Sequence, residues 1–191
     1  MGLDKDQIRV ASKGQVFVAP AGTALPTTEE SVLNGAFVGL GYTTEEGVTL
    51  NYEQETEGIK AWQRKGDIRK IVTARNLSVG FQGMQWNADT FALAFGGGEW
   101  TEVEPGHHRY DPPGGEDSLT EYAMVLDFQD GDVKFRLVIE RGSISDSVET
   151  NLVNNAAAVL PVTFAALEVD DEEDRPWFLL TSDAGLDIEG S

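Results

Sequence analysis

Two adjacent histidines, many carboxylates and one glycine pair are the only features of this sequence that suggest site chemistry. His107 and His108 are neighbours. Neighbours on a strand project to opposite faces, so the two do not converge on one metal, and a polar hairpin is their simpler reading. Carboxylates group at Glu45/Glu46, at Glu53/Glu55/Glu57 and along Asp170-Asp171-Glu172-Glu173-Asp174. A glycosidase pair or a calcium site needs such groups to converge in space. In a chain with 33 acidic residues, adjacent carboxylates arise by chance. No serine has a nucleophile-elbow context, so no Ser-His-Asp triad can be assembled. Gly39-Leu40-Gly41 lacks the third glycine and the following helix of a dinucleotide site, and no phosphate-loop pattern occurs. The expectation is a protein that is not an enzyme and needs no metal or cofactor. Asn76-Leu77-Ser78 fits the glycosylation sequon, which has meaning only in a secreted chain.

Composition narrows the function classes. The 191 residues suggest one domain with an arm, and 40% hydrophobic content suffices for a core. The net charge is −19. A chain so acidic does not grip nucleic acid, because neutralising phosphates requires Lys and Arg, nor does it dock on anionic membrane. A surface that nucleic acid must pass without sticking is still compatible with that charge. Absence of cysteine excludes disulfides, thiolate zinc sites and cysteine nucleophiles. Met1 to Asp6 shows no secretory h-region, Gly2 lacks the myristoylation context, and no apolar run approaches the roughly 18 residues of a membrane span. The expected site of synthesis is the cytosol.

The elements that would position any site are mostly strands. Leu77, Val79 and Phe81 alternate with Ser78, Gly80 and Gln82, the period of a half-buried strand. Upstream the apolar phase slips around Ile71 and Val72, which predicts a bulge or bend. The period then changes. Asn87 is a suitable N-cap, and Trp86 and Phe91 hold the N′ and N4 positions of a hydrophobic staple. Phe91 and Phe95 share a face, and Gly96-Gly97-Gly98 stops the helix. Trp86, Phe91 and Phe95, with Leu93, are the expected packing residues of a helix seated on a sheet. Further strands are expected at 15–19, 37–42, 47–53, 100–103, 107–110, 122–128, 133–140 and 177–181. Another is expected at 158–167, broken by Pro161. Asp130-Gly131 is the strongest hairpin signal. Asp170 to Asp174 reads as a solvated turn. The tally is nine to eleven strands with one helix and no βαβ alternation. It predicts a mainly β protein, an antiparallel sandwich or barrel with one short flanking α-helix. Residues 1–13 read as an N-terminal arm, 14–182 as a single domain and 183–191 as a polar tail.

One segment does not fit a compact domain. Gln54 to Gly66 begins acidic and ends basic, with Ile59 and Trp62 between, and shows no clear period. It reads as a protruding loop spanning about 54–70, and long loops of this kind are usually functional or disordered. Trp62 is either a local core residue or an anchor for a partner.

Gly58-Ile59-Lys60-Ala61-Trp62-Gln63 resembles the tail tube (major tail) proteins of long-tailed, non-contractile bacteriophages. Gly14-Gln15-Val16-Phe17-Val18-Ala19-Pro20-Ala21-Gly22-Thr23-Ala24-Leu25-Pro26 is similar to their opening. So are Ala36 to Tyr42 leading into Glu46-Gly47-Val48, and the strand-to-helix passage from Leu77 to Phe95. The likeness covers most of the chain and is strongest from Gly14 to Phe95. Some relatives carry a C-terminal immunoglobulin-like domain, and none is expected within these 191 residues.

The resemblance implies a virion subunit that closes into homo-hexameric rings, which stack into a tube through which double-stranded DNA leaves. It also implies tape measure, tail terminator and tip proteins as partners, no membrane, and assembly in the host bacterial cytoplasm. On that footing the contacts between subunits and rings fall to Glu55, Glu57, Ile59, Lys60, Trp62, Gln63, Arg64, Lys65 and Arg69. The lumen-facing acids would be Glu53, Asp127, Asp132 and Glu140. An acidic lumen repels phosphate, so DNA slides instead of adhering. Two alternatives stay open. One is another virion component, a capsid decoration or head–tail joining protein. The other is an acidic carbohydrate- or metal-binding β-sandwich.

Overall fold

The computed structural model describes residues 5–115, 119–145, 148–169 and 175–186. Among them the chain forms ten strands and one α-helix. In order these are β1 (Lys13–Pro20), β2 (Val38–Gly39), β3 (Thr43–Lys60), β4 (Asp67–Gly83), α1 (Ala88–Ala94), β5 (Glu99–Glu104), β6 (His107–Asp111), β7 (Tyr122–Asp130), β8 (Val133–Ile144), β9 (Leu160–Ala166) and β10 (Trp177–Thr181). Every pairing is antiparallel. One sheet runs β2-β1-β7-β8-β9-β4-β3, with β10 paired beside β8, and β5-β6 form a separate ribbon. The mainly β, antiparallel architecture with one helix is the one the alternation predicts. The acidic run Asp170 to Asp174 lies outside the described residues.

The core follows from period two. Val16 and Val18, Leu77, Val79 and Phe81, Met124 and Leu126, Leu137 and Ile139, and Leu160, Val162 and Phe164 all point inward and are buried. Each such side chain contributes about 1.5–3 kcal/mol on leaving water. β7 and β8 also bury Val125 and Val138 on their reverse face. There Arg136 reaches across from β8 to hold the segment before β2, donating through Nη1 to the Thr28 and Ser31 carbonyls at 3.0 and 2.7 Å.

Two expectations change in detail. The 37–42 stretch is strand only at Val38–Gly39, because Gly41 turns the chain with φ 81°. Pro161 does not break its strand. β9 is continuous from Leu160 to Ala166 and pairs β4 from Leu160 to Ala165, while β8 joins it only from Phe164 to Ala166. Pro161 therefore sits where no neighbouring strand asks for its missing N–H. The β7–β8 turn matches its signal: Gly131 takes the first loop position with φ 58°, the positive value a tight hairpin needs.

α1 starts as predicted. Asn87 Oδ1 accepts from the Thr90 N–H at 2.8 Å, and the Trp86 and Phe91 rings lie 5.6 Å apart. It ends in a Schellman motif, with the Gly96 N–H donating to the Leu93 carbonyl and the Gly97 N–H to that of Ala92. The residues that seat it differ from the expectation. Thr90, Leu93 and Ala94 are buried, Phe91 packs at the core margin, and Phe95 is 42% exposed. A helix this short turns only one narrow stripe toward the sheet. Phe91 and Phe95 lie beside that stripe and meet β5 and β6 instead.

Candidate functional site

β3 and β4 are far longer than the sheet requires. From Ser78 to Gly83, β4 is flanked by β3 on one side and β9 on the other. Before Ser78 it has only β3. The two strands therefore leave the body as a two-stranded ribbon that projects about 25 Å beyond Arg75, at roughly 3.3 Å per residue. The ribbon stays paired as far as Lys60 with Asp67, and a short turn carries Ala61 to Gly66. β4 holds two unpaired residues, Thr73 and Ile68, where the register shifts. The first lies next to the predicted phase slip. Bulges raise local twist and keep an exposed ribbon from pairing indiscriminately.

The stretch expected to be a loop, 54–70, is thus largely strand, with the loop confined to its tip. The period was invisible for a physical reason. Both faces of a free ribbon meet solvent, so no face selects apolar residues.

Trp62 stands at the tip and is 99% exposed. It has no packing partner among the described residues, and its exposure removes the local-core reading. Ile59, Ile68, Ile71 and Val72 are also exposed along the ribbon. Around them lie Lys60, Arg64, Lys65, Arg69 and Lys70, five of the chain's 14 basic residues. None of the five forms an ion pair among the described residues. Glu55 and Glu57 are exposed on β3, opposite Ala74 and Ile71, and Gln63 is exposed in the turn. The nine sequence-predicted contact residues are therefore brought together on one projecting element. The tip of this −19 chain is thus locally rich in exposed basic and apolar side chains.

The four candidate lumen acids are not brought together. Glu53 lies exposed on β3, where its Oε1 accepts from Asn51 Nδ2 at 2.9 Å, and β9 and β4 separate its strand from β8. Asp132 is exposed in the β7–β8 turn, and Glu140 is half-buried on β8. Asp127 is bound at both oxygens by Arg136, through Nε at 2.7 Å and Nη2 at 2.8 Å. That pairing neutralises it locally and holds the Arg136 guanidinium above its usual range.

The sequence reading missed a second surface. Trp86, Asn87, Ala88, Phe91, Trp100 and His108 line an open hollow of about 440 Å³. Phe91 is its hub, with ring centroids 5.4 Å from Trp100, 5.0 Å from Tyr110 and 4.6 Å from Phe95. The walls are fixed. Trp86 Nε1 donates to the Ala158 carbonyl at 3.0 Å. Tyr110 Oη donates to the Gly97 carbonyl at 2.5 Å, and burial raises its pKa. Gly98 must be glycine: φ is 93°, and a Cβ would lie 2.6 Å from the Asp111 carbonyl oxygen. The only sequence signal was the recurrence of aromatics from Trp86 to Tyr110.

No cluster of three or more His, Asp or Glu among the described residues is placed to hold a metal. His107 and His108 both lie exposed on β6. No helix among the described residues is long and apolar enough to cross a membrane. The geometry is that of a subunit with an unsatisfied projecting arm. Comparison with protein families accords with it: the family model described as "Phage tail tube protein" matches residues 1–185. The chain belongs to the phage tail tube protein family. It is a structural component of a phage tail. A comparison with curated proteins finds no match. For a phage tail tube protein the arm and the hollow are candidate assembly surfaces, and membership favours this role over the decoration, head–tail joining and sugar- or metal-binding readings.

Proposed function

We propose that six copies close into a ring and that rings stack into the tail tube of a long-tailed, non-contractile phage, leaving a bore through which double-stranded DNA passes. The observation that carries this reading is Trp62, fully exposed at the end of a basic ribbon that none of the described residues covers. Such a residue is an anchor awaiting a partner, and family membership makes a neighbouring tube subunit that partner. Glu55, Glu57, Ile59, Lys60, Gln63, Arg64, Lys65 and Arg69 act with it as the contact between rings.

Lateral closure has its own support. Among the described residues β3 pairs with β4 alone, so the outer edge of an 18-residue strand offers N–H and C=O groups to a neighbour. The bore is acidic on this account because each copy brings −19. Phosphate is repelled and DNA slides without adhering. Glu53 and Asp132 are the better lumen candidates, being exposed and free of ion pairs among the described residues. Tape measure, terminator and tip proteins are the expected tail partners, and assembly takes place in the host bacterial cytoplasm.

Electron microscopy of the concentrated, purified chain tests the proposal. Hollow tubes or sixfold rings are the expected result. Dispersed monomers at every concentration, or solid filaments without a bore, would refute it.

A further inference from the structure

β4 joins the two surfaces described above. It starts at Asp67, next to the Trp62 turn, and ends at Gly83, three residues before Trp86. Sixteen steps of an extended strand hold the tip and the aromatic hollow about 50 Å apart. The tip of a given copy therefore cannot reach its own hollow.

We propose that the Trp62 tip of one copy seats in the hollow between Trp86, Phe91, Trp100 and His108 of a second copy. The proposal rests on the stacking reading above and names the socket that reading lacks. Three observations select a second copy as the occupant.

The first is charge. The tip carries Lys60, Arg64 and Lys65, whereas the hollow is rimmed by acids. Trp100 pairs across the β5–β6 ribbon with Tyr110, and Glu102 with His108. Trp100 and Glu102 thus share the face that lines the hollow. Glu102 is exposed on that face, and Asp89, next in sequence to the lining residue Ala88, is exposed as well. The one basic residue of β5 and β6, Arg109, is already paired with Asp111.

The second is shape. The hollow is preformed, walled by rings held in place by the Trp86–Ala158 and Tyr110–Gly97 hydrogen bonds. It can accept an indole without reorganising, which keeps the entropic cost of docking low. Arg64, two residues from Trp62, can lay its guanidinium over an exposed ring at the rim.

The third is polarity. Each copy has one tip and one socket at opposite ends of the same strand. Such a contact is heterologous, so it propagates from copy to copy instead of closing a twofold dimer.

The test uses the full chain in two variants. Trp62→Ala lacks the plug but keeps the socket, and Trp100→Ala lacks the socket but keeps the plug. Alone, each should need about 30-fold more protein to stack, the loss expected for removing an anchor residue. Preformed rings of the two variants, mixed in equal amounts, should join two by two through one ring-to-ring interface and stop there, which sedimentation and electron microscopy would read. Trp100→Ala also removes the ring contacts of β5 with Phe91 and Tyr110, so charge reversal provides an independent arm. Glu102→Lys and Lys65→Glu should each impair stacking, and the two together in one chain should restore it. If wild type stacks but neither the mixture nor the double reversal recovers the junction, the socket assignment is wrong while the tube reading stands. Stacking of Trp100→Ala at wild-type concentration would also overturn it and leave the hollow to a different tail protein. Failure of wild type to stack at all would remove both.

Discussion

Arg9 grips Asp183 with two hydrogen bonds, Nε to Oδ2 at 2.8 Å and Nη2 to Oδ1 at 2.6 Å, across 174 residues of sequence. The N-terminal segment read as an arm is therefore tethered where the C-terminal tail begins. The Val10 N–H adds a bond to Asp130 Oδ2 at 3.2 Å. Arg9, and then the Gly185 N–H, hold the Asp183 carboxyl below its ordinary value of 3.8. A carboxylate whose folded pKa is depressed stabilises the fold above its unfolded pKa and loses that contribution as pH falls through the folded one. The tether should thus be intact at neutral pH and release only under acid conditions more extreme than pH 3.8. Asp183→Asn should mimic acid, and faster amide exchange at Val10 and Ser12 at pH 7 is the expected signature. Unchanged exchange would mean the tether does not order the segment.

Arg136 is 6% exposed and satisfies four acceptors: both Asp127 oxygens and the carbonyls of Thr28 and Ser31. Arg136→Ala strands all four. The partial exposure of Asp127 softens the loss through solvent screening, so a destabilisation of about 2–3 kcal/mol is expected. Arg136→Lys should recover less than half, because an ammonium cannot reproduce the fork. Urea denaturation midpoints give both values, and proteolysis within residues 24–34 should accelerate in step.

Gly142 lies where β8 crosses to β9. A Cβ there would meet the Phe164 ring at 2.4 Å and the Ala165 carbonyl oxygen at 2.5 Å. Phe164 is fully buried, so neither obstacle can swing away. Gly142→Ala should cost about 1–3 kcal/mol as an overpacked core site. A melting temperature equal to wild type would show that this junction is more pliant than its packing suggests.

Trp62→Ala should behave in the opposite sense. The indole is almost fully exposed and packs on none of the described residues, so melting temperature and denaturant midpoint should stay within about 0.5 kcal/mol of wild type, as for other exposed positions. Stacking should need about 30-fold more protein, the loss expected for an anchor residue. Loss of folding stability instead would place Trp62 inside the subunit.

The parts of this fold that were legible in the sequence are those written locally. Asn87 with Trp86 and Phe91, and the glycines that follow Phe95, specify α1 within a dozen residues. Asp130-Gly131 specifies the β7–β8 hairpin, and the alternation of Leu77, Val79 and Phe81 specifies the buried half of β4. The ribbon was half legible. Its composition marked it as unusual, but its strands could not be seen, because Glu55, Glu57 and Ile59 face the same solvent as their neighbours. The hollow was not legible, since Trp86, Trp100 and His108 meet only after β5 and β6 fold back onto α1. Asp127 looked like a free acid for the same reason: its partner Arg136 lies across a hairpin.

The central claim is that the ribbon tip is an intermolecular contact. A cryo-electron microscopy reconstruction of the assembled chain tests it most directly. The account predicts a hollow sixfold tube in which Trp62 is buried against a neighbouring subunit and the inner wall is negative. A tube whose Trp62 stays in solvent, or whose bore is positive or apolar, would contradict it.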